Sequence, residues 1–155
     1  MTIGQLTIGR PRLETDLDEL AALVDAYRVF YACASDLPAA RHFVRQRLEH
    51  ADSRFFVART ANGTLAGFAH LLSSLDTLSL RPIGILEDIY VVEARRKAGI
   101  GGTLLDAAAA YARERGYARL TLATAHQNRQ AQRLYLAHGY VPDQRFRSFN
   151  LFFES

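Results

Sequence analysis

The chain has 155 residues, 49% of them hydrophobic and 23% charged, a balance typical of one globular domain covering residues 1–155. A formal net charge of +3 is compatible with a polyanionic cofactor or with nucleic acid, but the arginines are scattered and no aromatic residues interleave with a basic strand, so we expect no nucleic-acid partner. One cysteine, no metal-ligand spacing and no apolar run long enough to cross a bilayer predict a cytoplasmic protein without a metal, a disulfide or a membrane partner.

The first third of the chain is predicted to contain a short strand and two helices. A weak alternation of apolar residues over 6–8 indicates the strand. From Asp16 onward, apolar residues recur at helical spacing as far as Tyr31, and Asp16 or Asp18 is suited to cap the start of this helix. The segment 35–38 ends this helix, and Pro38 suits the first position of a second helix.

Three strands are predicted to follow as an antiparallel meander. Residues 55–59 and 65–72 are rich in strand-forming residues, and the Asn62-Gly63 pair between them favours a tight hairpin turn. A third apolar run covers residues 83–92 and contains the acidic pair Glu87 and Asp88. Alternation along this run places Glu87 on the face of Ile85, Ile89 and Val91, with Asp88 on the opposite face unless a bulge intervenes.

A basic, glycine-rich turn comes next and opens a helix. Arg95, Arg96 and Lys97 precede Gly99, Gly101 and Gly102, after which apolar residues repeat at helical spacing. Glycines admit a close backbone approach, and the free amides at a helix start favour an anion such as a phosphate or pyrophosphate. The turn lacks the lysine of a P-loop and the third glycine of a dinucleotide fingerprint.

The remainder is predicted to complete a strand–helix–strand unit and to end in two strands. Residues 118–124 alternate as a strand parallel to 83–92, since a right-handed crossover joins strands in this way. Asn128 is suited to cap the next helix, which Gly139 ends. Residues 140–144 and 148–153 are then predicted to form paired terminal strands.

Two ordered motifs resemble those of the GNAT acetyltransferase superfamily. The first is Arg96-x-x-Gly99-x-Gly101, and the second is Asn128-x-x-Ala-x-x-x-Tyr135-x-x-x-Gly-Tyr140, one strand later. The resemblance implies an α/β fold of the α+β type. It has a mixed central sheet of about six to seven strands, an N-terminal helical pair, and two parallel central strands that splay apart.

The resemblance also implies that acetyl-CoA is the co-substrate. In this family the pantetheine arm lies between the splayed strands and the pyrophosphate lies in the glycine turn. The residues carried over to cofactor binding are Ile89, Tyr90, Val91, Arg96, Lys97, Ala98, Gly99, Ile100, Gly101, Gly102, Asn128 and Tyr135.

The reaction implied is attack of an amine on the thioester carbon. An alkyl ammonium has a pKa near about 10.4, so a base must remove its proton at neutral pH. Glu87 is our candidate base, and Asp88 is the alternative. The resemblance assigns Tyr135 as the acid for the leaving thiolate, and a backbone N–H within residues 89–91 would stabilise the oxyanion.

The acceptor is expected to be a small primary amine. The run LEDIYV at 86–91 looks like the branch of the family that acetylates diamines, polyamines and thialysine-type amino acids. Candidate substrate contacts are Tyr27, Tyr31, Asp36 and Asp88, although core packing is the stronger interpretation of the two tyrosines. A protein or peptide N-acetyltransferase and a non-catalytic acyl-CoA-binding module are the alternatives. A homodimer is expected from the resemblance.

Overall fold

The computed structural model describes residues 6–154, which divide into two compact units, 6–123 and 124–154. Five strands and four α-helices are present in the described residues, with a short 3-10 helix at Glu93–Arg95. In chain order they are β1 (Thr7–Gly9), α1 (Leu13–Phe30), α2 (Leu37–His50), β2 (Arg54–Arg59), β3 (Leu65–Asp76), β4 (Arg81–Val91), α3 (Ile100–Glu114), β5 (Leu120–Thr121) and α4 (Arg129–Ala137). In this part of the chain, no helix is long and apolar enough to span a membrane.

One mixed sheet organises the first unit. Its strand order is β1-β2-β3-β4-β5; the first four strands are antiparallel, and β4 and β5 are parallel. The predicted meander, the Asn62-Gly63 turn with Gly63 at φ +90°, and the parallel strand–helix–strand unit are therefore confirmed. The described residues form five strands instead of the expected six to seven, and the strand predicted over 118–124 covers only Leu120–Thr121.

Helices cover both faces of this sheet, because neighbouring strand residues point to opposite sides. Phe55 and Phe68 pack into a cluster with Leu20 of α1 and Val44 of α2. Phe56, the residue after Phe55, instead meets the ring of Tyr111 in α3, with 5.6 Å between ring centroids. The α1 and α2 pair therefore lies on one face and α3 on the other.

The start of α1 differs from the expectation. The helix begins at Leu13, so Asp16 lies inside the first turn instead of capping it. Asp16 Oδ2 accepts a hydrogen bond from the backbone N–H of Arg12 at 2.6 Å, which ties the residue before the helix to its first turn. The second helix begins at Leu37, one residue before the predicted start at Pro38, and Asp36, which was expected to contact substrate, is its N-cap.

The second unit contains α4 and the C-terminal segment. Asn128 caps α4 through Oδ1, which accepts a hydrogen bond from the Ala131 N–H at 3.2 Å, as predicted. The prediction of terminal strands at 140–144 and 148–153 is wrong, because residues 141–154 form neither strand nor helix. A strand requires a neighbour for its backbone groups, and the described residues pair no strand with this segment.

Candidate active site

The glycine turn presents the start of α3 without any carboxylate to compensate it. Lys97 and Gly99 both have left-handed backbones, with φ of +64° and +81°, and they bend the chain into Ile100, where α3 begins. No acidic residue occupies the first turn of α3, so the positive end of the helix dipole is uncompensated. This geometry suits an anionic ligand at residues 96–102, with the exposed Lys97 beside it.

Arg96 lies at the same turn, but its side chain is directed back to the end of β4. Its Nε donates a hydrogen bond to the carbonyl of Val91 at 2.9 Å. The guanidinium carbon is 5.4 Å from the ring centroid of Phe30 and 5.5 Å from that of Tyr90, within range of cation–π attraction. Arg96 therefore joins α1, the end of β4 and the glycine turn.

The outer edge of β4 is open along its second half. Backbone pairing between β4 and β5 covers Gly84 with Leu120 and Ile85 with Thr121, whereas β4 continues to Val91. Among residues 6–123, no strand continues beside the stretch 86–91. This open edge agrees with the splay that the GNAT resemblance implies, and the main-chain groups of this stretch that face away from β3 have no strand partner among residues 6–123.

A β-bulge places the acidic pair differently from simple alternation. Asp88 pairs with His70 and Leu86 pairs with the next residue of β3, so Glu87 is the extra residue. Ile85 pairs with Leu72, two positions beyond His70, so Ile85 and Asp88 lie on the same face of the sheet. The prediction that these two residues lie on opposite faces is therefore wrong. Glu87 is exposed, whereas the Asp88 side chain is only 20% exposed.

The sequence analysis did not identify His70 as part of this region. His70 lies opposite Asp88 in the ladder, with Nδ1 3.4 Å from Asp88 Oδ2. Its Nε2 lies 2.6 Å from the hydroxyl of Ser53, just before β2. Two signals in the sequence could have found His70. Alternation along β3 places it on the same face as Phe68, and the Asn62-Gly63 hairpin sets its register against β2.

The three candidate residues of α1 and α2 have clear structural roles. Tyr27 is packed against the core, with its ring 6.3 Å from that of Tyr90, so the core interpretation is supported for this residue. Tyr31 follows the last turn of α1 and is 40% exposed. The Asp36 carboxylate accepts the N–H of Ala39 at 3.1 Å, so it serves as a helix cap.

The loop that carries Tyr31 and Asp36 is fastened by a buried carboxylate. Asp25 accepts hydrogen bonds from the Ser35 hydroxyl at 2.6 Å and from the Asp36 N–H at 2.8 Å. These two bonds, with the nearby Arg28 guanidinium, hold the pKa of Asp25 below its usual value. The loop between α1 and α2 is therefore held in one conformation at neutral pH.

Two candidate residues belong to the second unit. Asn128 uses its side-chain oxygen to cap α4. Tyr135 lies on α4, half-buried, with its ring centroid 6.1 Å from that of Tyr140. The helix thus presents the asparagine at its start and the tyrosine two turns later, as the second motif requires.

Comparison with known proteins identifies the family. The sequence profile described as "Acetyltransferase (GNAT) family" matches residues 17–140, which is most of the chain. The chain belongs to the GNAT family. It is accordingly an enzyme, an N-acetyltransferase, and its five-stranded sheet with four helices is the GNAT fold.

Relatives of this GNAT enzyme match it over nearly its full length. "Uncharacterized N-acetyltransferase YhfO" of Bacillus subtilis (strain 168) is 42% identical over 132 residues, which are 85% of this chain and 88% of that protein. The crystal structure of a probable acetyltransferase is 34% identical, with a TM-score of 0.88 over 97% of this chain and 99% of that one. The aminoglycoside N-acetyltransferase AAC(6')-Iy, in a complex with CoA, is 20% identical and shares the fold, with a TM-score of 0.80 over 97% of this chain and 98% of its own.

The family assignment gives the anion-suited turn a natural ligand. Structural neighbours of the GNAT family bind acetyl-CoA or CoA, which carries a pyrophosphate and an extended pantetheine arm. The uncompensated start of α3 fits a pyrophosphate, and the open edge of β4 fits an extended amide-bearing arm. The residues of the first unit therefore fit this co-substrate.

Proposed function

We propose that this GNAT enzyme transfers an acetyl group from acetyl-CoA to the primary amine of a small molecule by direct attack. One observation carries the proposal: the edge of β4 that no strand of residues 6–123 covers has two carboxylates at its bulge and leads into the anion-suited turn. A donor thioester and a cationic acceptor would thus meet along a single strand. We propose that the whole chain, residues 1–155, acts as one catalytic domain.

Acetyl-CoA would be held by backbone groups at the end of β4 and in the turn that follows it. Ile89, Tyr90 and Val91 would pair with the pantetheine amides, and residues 96–102 would surround the pyrophosphate. Arg96 would act mainly by holding the turn against the Val91 carbonyl, while Lys97 would supply charge directly. We assign Asn128 to the same co-substrate through the second motif, which resembles that of the family.

In the proposed reaction, Glu87 removes a proton from the acceptor ammonium, directly or through water. The amine nitrogen then bonds to the thioester carbon, and a backbone N–H of residues 89–91 stabilises the resulting oxyanion. The carbon–sulfur bond breaks as the carbonyl reforms, and Tyr135 gives a proton to the departing thiolate. Glu87 suits the base because it is exposed at the bulge and can exchange protons with solvent.

The acceptor is proposed to be a cationic small molecule of the diamine, polyamine or thialysine type. Asp88 is half-buried, and among the described residues its only polar side-chain contact is with His70, so its charge is available to a ligand ammonium. Tyr31 and Asp36, on the loop fastened by Asp25, would contact the far end of the acceptor. Tyr27 would support Tyr90 from the core side.

An amine panel assayed by release of free CoA thiol tests this function. The panel includes putrescine, spermidine, lysine, thialysine, an aminoglycoside and a peptide N-terminus. We expect turnover with at least one diamine, polyamine or thialysine. Turnover with the peptide alone would favour a protein or peptide N-acetyltransferase, and acetyl-CoA binding without any turnover would favour a non-catalytic module. Full turnover by Tyr135→Phe would contradict the assigned proton donor.

Isothermal titration with acetyl-CoA tests the turn itself, using a matched pair of glycine substitutions. Gly99 and Gly116 both have left-handed backbones, with φ of +81° and +70°, and both have open space where a Cβ would lie. Gly99→Ala strains the turn before α3 and is expected to weaken acetyl-CoA binding about tenfold. Gly116→Ala places the same strain beyond the other end of α3 and should leave the Kd within about twofold.

We also propose that the enzyme is a homodimer and that it acts in the cytoplasm, where a lone cysteine such as Cys33 remains reduced. The support for a dimer is the segment 141–154, which forms no strand and exposes six large apolar side chains by 63–88% each. They are Val141, Phe146, Phe149, Leu151, Phe152 and Phe153. Apolar surface of this extent is typical of an interface, and a second copy offers the open outer edge of β5.

Sedimentation equilibrium tests the dimer. We expect twice the chain mass for the wild type and the monomer mass for the double variant Phe149→Glu/Phe152→Glu, since burying two carboxylates in an apolar interface is costly. Leu78→Glu is the matched control, because Leu78 is 82% exposed but lies outside the segment, and it should remain a dimer. A wild type that stays monomeric at tens of micromolar would overturn the proposal.

A further inference from the structure

A buried histidine connects three strands on the face of the sheet that α2 covers. His70 is 3% exposed, and its ring lies flat on that of Phe55, with 4.1 Å between centroids and 4° between planes. The ring of Phe43 from α2 meets it edge to face at 6.1 Å. Neither sequence motif nor any step of the proposed reaction uses this residue.

The two ring nitrogens of His70 face groups of different hydrogen-bonding capacity. Nε2 lies 2.6 Å from Ser53 Oγ, and Nδ1 lies 3.4 Å from Asp88 Oδ2. An ionised carboxylate only accepts, whereas a hydroxyl donates or accepts. For a neutral imidazole, the arrangement in which every donor faces an acceptor has the Ser53 hydroxyl donating to Nε2 and the ring proton on Nδ1, on the side of Asp88. The opposite tautomer would direct the Nδ1 lone pair at a carboxylate.

The contact between His70 and Asp88 is long and involves one oxygen of the carboxylate. At 3.4 Å the contact exceeds the usual N–H···O range of about 2.7–3.2 Å, so the imidazole directs Asp88 without fully satisfying it. Catalytic contacts are commonly long in an empty site and shorten when substrate binds. One Asp88 oxygen is thus turned to His70, which leaves the other for a cation.

We propose that His70 is a positioning residue that selects the acceptor: with its Nδ1 proton fixed by Ser53, it orients the Asp88 carboxylate toward the ammonium of a cationic amine. This inference rests on the proposed function and assigns the origin of its amine specificity. The stacking of Phe55 on the imidazole limits rotation of the ring, so orientation passes from Ser53 through His70 to Asp88.

Nitrogen-15 NMR of the imidazole tests the arrangement without any activity measurement. In the wild-type protein at neutral pH, we expect the signal of a proton on His70 Nδ1. Ser53→Ala removes the donor to Nε2 and should shift the tautomer distribution, whereas Phe43→Leu leaves both polar partners of the imidazole in place and should not. A wild-type ring without a proton on Nδ1 would overturn the inference even if the enzyme is fully active.

Steady-state kinetics tests the consequence for the acceptor. His70→Phe retains a ring on Phe55 but leaves Asp88 without its donor, and we expect the amine KM to rise about tenfold or more while the acetyl-CoA KM stays within about twofold. His70→Asn places an amide N–H near the position of Nδ1 and should recover part of the loss. An unchanged amine KM in a folded His70→Phe enzyme would overturn the inference. If no amine is acetylated, the proposed function fails, and the NMR result alone decides the His70 arrangement.

Discussion

Glu87→Gln is expected to lower kcat for the best amine about 100-fold or more at pH 7, the usual contribution of a positioned general base. The glutamine is nearly isosteric and the residue is exposed at a bulge, so folding should be unaffected. The pKa of an alkyl ammonium is near about 10.4, and below that pH each unit of increase raises the fraction of free amine about tenfold. The difference in kcat between the wild type and Glu87→Gln should therefore become smaller as the assay pH rises from about 7 to about 9.

The neighbouring acid provides the control for this prediction. Asp88→Asn removes the charge that we assign to amine binding, so it should raise the amine KM more than it lowers kcat. Glu87→Gln should thus change mainly kcat, and Asp88→Asn mainly the amine KM. Activity of Glu87→Gln equal to that of the wild type at low and at high pH alike would refute Glu87 as the base.

Asp16→Asn is expected to lower the free energy of unfolding by about 3 kcal/mol at pH 7, as is usual when one partner of a buried ion pair is removed. The Asp16 side chain is 3% exposed. Its carboxylate accepts a hydrogen bond from Arg59 Nη2 at 2.7 Å and another from the backbone N–H of Arg12 at 2.6 Å. Burial acts to raise its pKa, but the hydrogen bonds from Arg59 and Arg12 outweigh burial and hold the pKa far below its usual range.

The pH dependence of this effect has a definite sign. Because the pKa of Asp16 is depressed in the folded state, its stabilisation is complete above the unfolded value of about 3.9 and is lost as the pH falls toward the folded value. Urea unfolding should thus give a full difference between wild type and Asp16→Asn at pH 7 and a smaller one at pH 3. Asp18→Asn is the control: Asp18 pairs with Arg41 but is 80% exposed, so we expect a change of less than about 1 kcal/mol. Equal effects of the two substitutions would contradict the assignment.

Most elements of the first unit could be predicted because their signals are local. The Asn62-Gly63 turn, Pro38 at the start of α2 and the glycines before α3 each act on a few neighbouring residues. The start of α1 was predicted too late because Asp16 was expected to cap the helix, whereas it lies inside the first turn and accepts the N–H of Arg12, the residue before the helix. The terminal strands were predicted from composition alone, and composition does not supply a pairing neighbour.

The candidate site divides in the same way. The glycine turn, the acidic pair, Asn128 and Tyr135 were found from motifs because a cofactor loop and a helix cap are short contiguous patterns. His70 and Ser53 were missed because they approach Asp88 only through the register of β2, β3 and β4. The position of the bulge at Glu87 could not be predicted either, since a bulge is defined by the pairing of β4 with β3.

The stretch 83–102 by itself predicted an anion-suited turn and acids on a central strand, and together with the motif at 128–140 it predicted the family, because residue type and spacing carry that information. Tertiary structure decided which face each acid occupies, turned Arg96 back onto Val91 and set a buried histidine against Asp88. These features depend on pairing between distant segments. Such pairing is determined by packing of the whole sheet and not by any short run of residues.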